Sequence, residues 1–321
     1  MSCIIMYLQS SVFLLVLSWN PVNGSKGDKS SRFRICLREC STGCKLEEYP
    51  GKLAIYLTVF WWDCTDECKY QCMHKVTQSN MRNNEPIKQF YGKWPFVRFL
   101  GIQEPASVLF SIFNGVGHIL GWRMLKSTVP NTDYNMYLVW KVNIVVSLNA
   151  WFWSSVFHTR DLNWTEKMDY FCATSLVMYS LFACLMRFIG LENKWSCFFV
   201  GLFLCCIFCS HVYYLAFVRF DYGYNMKFNV TIGIMNMCSW LSWCLTYYKR
   251  QPYVWKCAFV TVGIFLLLGF ELGDFPPILW TFDAHSLWHL GTAPLSYFWY
   301  SFLLDDAKHQ LLMKRKRRKS C

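Results

Sequence analysis

The sequence predicts an all-α membrane protein: a bundle of seven transmembrane helices behind a small disulfide-rich region. Three observations carry that expectation. Charged residues make up only 16% of the 321-residue chain, against 54% hydrophobic, where a soluble domain carries about 25% charged residues. Several apolar windows reach the roughly 20 residues that a bilayer core demands. Ahead of the first window, six cysteines recur at a spacing of four.

Taken in order, the chain begins with a short apolar stretch, Val12 to Leu17, and small or modest residues at Val22 and Gly24. Residues 1–24 are expected to be a secretory signal peptide, although no Lys or Arg precedes the stretch. An uncleaved eighth helix is the competing reading. Residues 25–98 form the cysteine-rich region. Cys36, Cys40 and Cys44 form one trio, and Cys64, Cys68 and Cys72 the other. A spacing of four puts each trio along one face of a helix. Pro50-Gly51 between them suits a turn. Three disulfides would join the two helices, with fifteen pairings open. Disulfides place this region in an oxidising compartment.

The seven spans fall around 101–122, 137–158, 170–189, 196–217, 228–248, 254–273 and 285–304, within a domain covering 99–305. The sixth is the weakest, because Lys256 and Glu271 flank a short apolar centre. Residues 306–321 form a basic tail containing Lys314 to Lys319. That run accounts for much of the net charge of +12 and is expected to anchor against acidic lipid rather than bind nucleic acid. Arg123 and Lys126, Lys194 with nearby Arg187, and Lys249 with Arg250 mark alternate loops as cytosolic by the positive-inside rule. The expected topology has a lumenal N-terminus and a cytosolic C-terminus. His118 and His211 lie inside spans and are expected to be hydrogen-bonded across helices.

This topology gathers ionisable residues from distant segments at one depth. His158 ends the second span, Asp169 begins the third, and His285 and His289 begin the seventh, all on the lumenal side. Ionisable groups at membrane depth are costly and point to function. His285 and His289 are one helical turn apart and project from one face. With His158 they make the three-imidazole set of a catalytic zinc site. Asp169 could act as general base. Ser154, one turn before His158, could orient Asp169 or donate to a developing oxyanion. Asp161 and Asp283 compete as acidic partners, Asp283 as a supporting neighbour of His285. Glu104, beside Pro105, is a further candidate for substrate or supporting contact.

The pattern Ser-x3-His, then Asp, then His-x3-His over seven helices resembles the CREST superfamily, which includes alkaline ceramidases and adiponectin receptors. One branch is closer. Gln103-Glu104-Pro105-Ala106-Ser107, Phe157-His158-Thr159-Arg160-Asp161, Glu166 to Phe171 and Asp283 to His289 are similar to the post-GPI-attachment phospholipase family, as are Trp62-Asp63-Cys64 and Cys68 to Cys72. The resemblance implies remodelling of glycosylphosphatidylinositol (GPI) anchors in the ER or Golgi. The unsaturated sn-2 acyl chain of the inositol phospholipid on GPI-anchored proteins would be removed, leaving a lyso-form. Under it, His158, His285 and His289 would hold zinc, Asp169 would hold or deprotonate the water, and Ser154 would support it. Basic Arg318 and Lys319 near the end resemble a retrieval signal for early secretory membranes. Asn163-Trp164-Thr165 matches a glycosylation acceptor placed too close to the bilayer for use. A ceramidase-like amide hydrolase and a seven-helix receptor with structural zinc are the alternatives. A zinc transporter fits less well, because the ligands cluster at one membrane face.

Overall fold

In the computed structural model, which describes residues 25–45, 53–129 and 134–320, the two cysteine trios lie on antiparallel helices. Helix α1 (Ser31–Lys45) carries one trio and α3 (Cys64–Arg82) the other, with the short α2 (Ile55–Val59) between them in sequence. The disulfides join Cys36 to Cys72, Cys40 to Cys68 and Cys44 to Cys64. Each step of four along α1 is answered by a step of four back along α3, as antiparallel helices in register require. Helix α3 starts at Asp63, whose carboxylate accepts the Asp66 N–H at 2.7 Å. Asp66 and Glu67 in the first turn complement the helix dipole. Phe33, Cys72, Val76 and Phe90 bury a small core beside the ladder. The expected signal segment and the Pro50-Gly51 turn lie outside the described residues.

Seven longer helices follow: α4 (Pro105–Thr128), α5 (Tyr137–Thr159), α6 (Asn163–Ile189), α7 (Lys194–Tyr213), α8 (Tyr222–Tyr247), α9 (Val254–Leu272) and α10 (Ala284–Ser320). The seven apolar windows fall on these seven helices. The first helix starts later than its window because a tight turn pairs Phe99 with Ile102 and Pro105 takes the first helical position. Helices α4, α6 and α7, the last continued by π-helix Tyr214–Val218, are long and apolar enough to cross a membrane. Val254–Phe270 of α9 is a shorter apolar stretch. Helix α10 runs on through the basic run, so the last apolar window and the tail share one helix.

Packing closes a ring. Helix α4 lies against α5 and α10, α5 against α6, α6 against α8, α8 against α9, and α9 against α10. Helix α7 packs on α6 outside the ring. The main core sits towards one end, around Trp140, Trp240, Trp243, Tyr300 and Phe302. Tyr300 meets α4 where Gly121 leaves room, since a Cβ there would collide with its ring. Two charged side chains of the bundle, Lys256 and Arg187, are paired with aspartates of α10. Lys256 reaches α10 through Ser301 Oγ at 2.8 Å and Asp305 Oδ2 at 2.6 Å, which explains a lysine in an apolar span. Arg187 clamps Asp306 with Nε at 3.0 Å and Nη2 at 2.8 Å. Tyr253 OH and Gln310 Nε2 also donate to that carboxylate, at 2.9 and 2.6 Å.

The cysteine-rich region is seated on the other end of the ring. Trp62 is the hub. Arg160, at the end of α5, stacks over its ring at 3.9 Å and pairs with Asp66. Arg98 lies 4.4 Å from the same ring and 3.6 Å from Tyr70, with Nη2 on Glu67 Oε2 at 2.6 Å. Each guanidinium is thus charge-paired while its flat face is covered by an aromatic ring.

Asp306 is fully buried, so removing its partner strands a charge. Arg187→Leu should lower stability by about 3 kcal/mol or more, and adding Asp306→Leu should recover part of that loss. Thermal unfolding of the purified protein in detergent measures both.

Candidate metal centre

Polar residues recur at every third or fourth position on three of the apolar helices. On α4 and its cap they are Glu104, Ser107, Ser111, Asn114 and His118. On α5 they include Asn143, Ser147, Ser154 and His158, and on α10 Ser286, His289, Thr292 and Ser296. The period places each set on one helix face, and burial makes unpartnered polar groups costly. The three stripes face one another.

At their meeting point stand His158, His285 and His289, with one ring nitrogen of each inside a 4.8 Å cluster. His285 Nε2 lies 3.2 Å from His158 Nε2 and 2.8 Å from His289 Nε2. Three imidazoles sharing a tetrahedral ion would hold their nitrogens about 3.3 Å apart, given metal–nitrogen bonds of about 2.0–2.1 Å. The outer ring nitrogens of His158 and His289 are held from behind. His158 Nδ1 donates to Glu104 Oε2 at 2.7 Å, and His289 Nδ1 meets Ser111 Oγ at 3.4 Å. Outer support of this kind fixes the ring and leaves Nε2 free for an ion. The donor set therefore fits a transition metal of zinc type, which favours nitrogen ligands.

Glu104 is itself held. Lys93, from the cysteine-rich region, pairs with Glu104 and lies 3.2 Å from Asp161 Oδ2. Burial alone would raise the Glu104 carboxyl, but Lys93 and His158 outweigh it and hold it well below the usual carboxylate range. Burial likewise disfavours the charged Lys93, yet Glu104 and Asp161 keep its ammonium above the ordinary lysine value. An ionised Glu104 can only accept, so the proton of His158 sits on Nδ1. The backbone reinforces the contact, since Glu104 N donates to His158 O at 3.0 Å and Gln103 N to Thr159 O at 3.0 Å.

The other expected residues take distinct places. Ser154 Oγ lies 3.0 Å from Ser111 Oγ and so connects to His289 through that hydroxyl. Asp169 is half-buried on α6. Cys172, one turn on, takes a hydrogen bond from Asn149 Nδ2 of α5 at 2.9 Å, so this face of α6 turns towards the helix carrying Ser154 and His158. Asp169 is not among the three clustered ligands. Asp283 caps α10, its Oδ1 accepting from Ser286 N at 2.9 Å, and thereby fixes the first turn on which His285 sits. Thr165 of the glycosylation motif is buried, its hydroxyl occupied by the start of α6. His118 bonds Tyr300 OH across helices at 3.2 Å as expected. The His211 ring stacks on Phe228 of α8 at 3.9 Å, with the Asn225 side chain of the same helix interacting with it.

Ser111, Asn114 and Lys93 were not singled out from the sequence. Asn114 Nδ2 donates to the His289 carbonyl at 2.8 Å. The polar stripe on α4 was a legible signal for two of them. Lys93 carried none, because only the fold brings its loop to Glu104.

A buried three-histidine cluster at one end of an apolar helical ring, backed by a carboxylate, defines a membrane-embedded protein with a candidate metal centre. The Per1-like family profile matches residues 54–307, and the chain belongs to that family. It is 44% identical to GPI-specific phospholipase A2-like PGAP3 of Danio rerio over 95% of this chain and 97% of that protein. It is 41% identical to the Homo sapiens protein of the same name, over 95% and 96%. It is 37% identical to Post-GPI attachment to proteins factor 3 of Drosophila melanogaster, over 91% and 92%. No solved structure matches.

His285→Ala should abolish stoichiometric metal retention by the purified protein. Glu104→Gln should weaken it by about 10- to 100-fold, the usual cost of losing outer support. Metal content after graded chelator exposure measures both.

Proposed function

We propose that this protein is a zinc-dependent lipid-ester hydrolase of GPI-anchor remodelling. It would remove the unsaturated sn-2 acyl chain from the inositol phospholipid of GPI-anchored proteins, giving a lyso-form. The observation that carries the reading is the convergence of His158, His285 and His289, each from a different part of the chain or turn of α10, in a protein 44% identical over nearly its full length to one named a GPI-specific phospholipase A2-like protein.

His158, His285 and His289 would hold the zinc. Bound there, zinc would polarise the ester carbonyl and acidify a water nearby. The remaining work falls to the chain. Glu104 holds the proton of His158 on Nδ1 and keeps Nε2 directed inward. Ser111 holds His289 from behind and carries the Ser154 hydroxyl beside the cluster, where it can donate to charge developing on the carbonyl oxygen. Asp169, on the face of α6 turned to α5, would take a proton from the attacking water and pass it to the leaving lyso-lipid oxygen. Ser154 is a poor nucleophile here, because the imidazoles nearest it face one another. An apolar ring of helices excludes bulk water and strengthens these interactions.

The same reading puts the histidine end on the lumenal side of Golgi or ER membranes, where GPI-anchored proteins present their lipid. The N-terminal region would be lumenal and the basic end of α10 cytosolic.

In cells lacking the protein, wild type should restore loss of the unsaturated sn-2 chain on a GPI-anchored reporter. His285→Ala and Asp169→Ala, expressed equally, should not. Mass spectrometry of the reporter's lipid decides, and full rescue by either variant would overturn the catalytic assignment.

A further inference from the structure

Three turns at the histidine end place bulky apolar residues where the backbone suits glycine or asparagine. Trp61, just after α2, has φ +56°. Leu100 has φ +49° and is followed by Gly101 at φ +88°, in a turn closed by Phe99 and Ile102 with N–H to O distances of 3.1 and 2.9 Å. Two positive φ values in a two-residue turn are the pattern of a type I′ turn, which favours Asn-Gly. Leu279, φ +53°, turns the chain between Ile278 and Phe282 ahead of α10. A bulky residue in this region is an outlier, and such strain persists where the side chain has a task.

Packing within the protein does not supply that task. Trp61 is 63% exposed, Leu100 61% and Leu279 78%. Ile55, Val59 and Phe99 extend the exposed apolar surface. The turns are neighbours. Trp62 Nε1 donates to Gly101 O at 2.8 Å, and Val97 N to Trp280 O at 2.9 Å. An exposed apolar patch of this kind marks a contact surface.

Continuity identifies what covers it. The Trp61 ring meets Trp164 edge-on at 5.9 Å, and Trp164 meets Trp153 at 5.9 Å. Trp153 lies against Phe152, which is 59% exposed on the flank of α5. The patch therefore runs without a break into the flank of the helical ring that faces lipid. Tryptophans at such a border are what a membrane interface selects.

We infer that the Trp61, Leu100 and Leu279 turns dip into the bilayer leaflet at the histidine end, so that the cysteine-rich region lies on the membrane surface, its apolar side against phospholipid acyl chains. Leu100 precedes Glu104 by one turn's length of chain and Leu279 lies just ahead of His285. The leaflet would thus be held beside the mouth of the histidine cluster.

The test reads no turnover, so it stands or fails apart from the hydrolase assignment. A photoreactive phenylalanine analogue is placed singly at Trp61, Leu100 and Leu279 of the full chain in phosphatidylcholine vesicles. Phe203, 66% exposed on α7, is the lipid-facing control, and the exposed, charged Glu39 of α1 the aqueous one. After illumination, mass spectrometry should find phospholipid adducts at the three turns and at Phe203, and none at Glu39. Adducts at Phe203 alone, or protein adducts at the turns, would overturn the inference.

Discussion

The Glu104 carboxylate is the joint on which the histidine end depends. Its one oxygen takes the His158 proton and the other takes Lys93. It therefore links the cysteine-rich region, the start of α4 and the end of α5 in a single charge arrangement. His158 passes the constraint to His285 on α10. A buried carboxylate held between a lysine and an imidazole is stable only if all three stay in place, because each partner removed strands the others. The arrangement makes the position of the cysteine-rich region part of the geometry of the centre. That region is not an appendage: through Lys93 it sets the charge beside His158, and through Trp62 it is clamped to the end of α5.

The two ends of the bundle use buried charge in opposite ways. At the far end, Arg187 grips Asp306 through two nitrogens, with Tyr253 and Gln310 also donating to that carboxylate. A network of this sort fixes helices α6, α9 and α10 relative to one another. At the histidine end the outer nitrogens of His158 and His289 have partners while the inner ones converge on each other. Neutral imidazole nitrogens crowded at 2.8 and 3.2 Å are poor company without a proton or an ion between them. The first network spends its hydrogen bonds on rigidity, and the second keeps its acceptors directed at a shared point.

Much of this was legible in the sequence, for identifiable reasons. Seven apolar windows gave seven helices because bilayer length is a strong signal. The cysteine spacing gave two facing helices but not the pairing, which needs their relative direction. The three clustered histidines were legible because histidine is rare in apolar helices and two of them share a face. Glu104 was legible beside Pro105 as a candidate for substrate or supporting contact, though its tie to His158 and Lys93 was not. Ser111 was missed because a serine in an apolar helix satisfies itself on the backbone in most settings. Lys93 was missed because its partner is contributed by another segment and nothing local marks it. For His211 the sequence did not show the aromatic stacking on Phe228 of α8. Asp283 was legible as a supporting neighbour of His285, and its carboxylate caps the turn on which His285 sits.

The depth of the centre follows from these constraints. His158 is at the last turn of α5, and His285 and His289 are in the first two turns of α10. Helix ends are where a bundle meets the headgroup region, and helix starts there carry the caps and charges that the hydrocarbon would reject. An ester between acyl chain and glycerol lies at that same level, between hydrocarbon and water. A centre one or two turns deeper would face only acyl chains, and one above the helix ends would face only water. Under the proposed function, the ladder of disulfides, the Trp62 clamp and the Glu104 joint would together hold the histidine cluster at this boundary, where a polar centre and an apolar substrate could meet without either being fully desolvated.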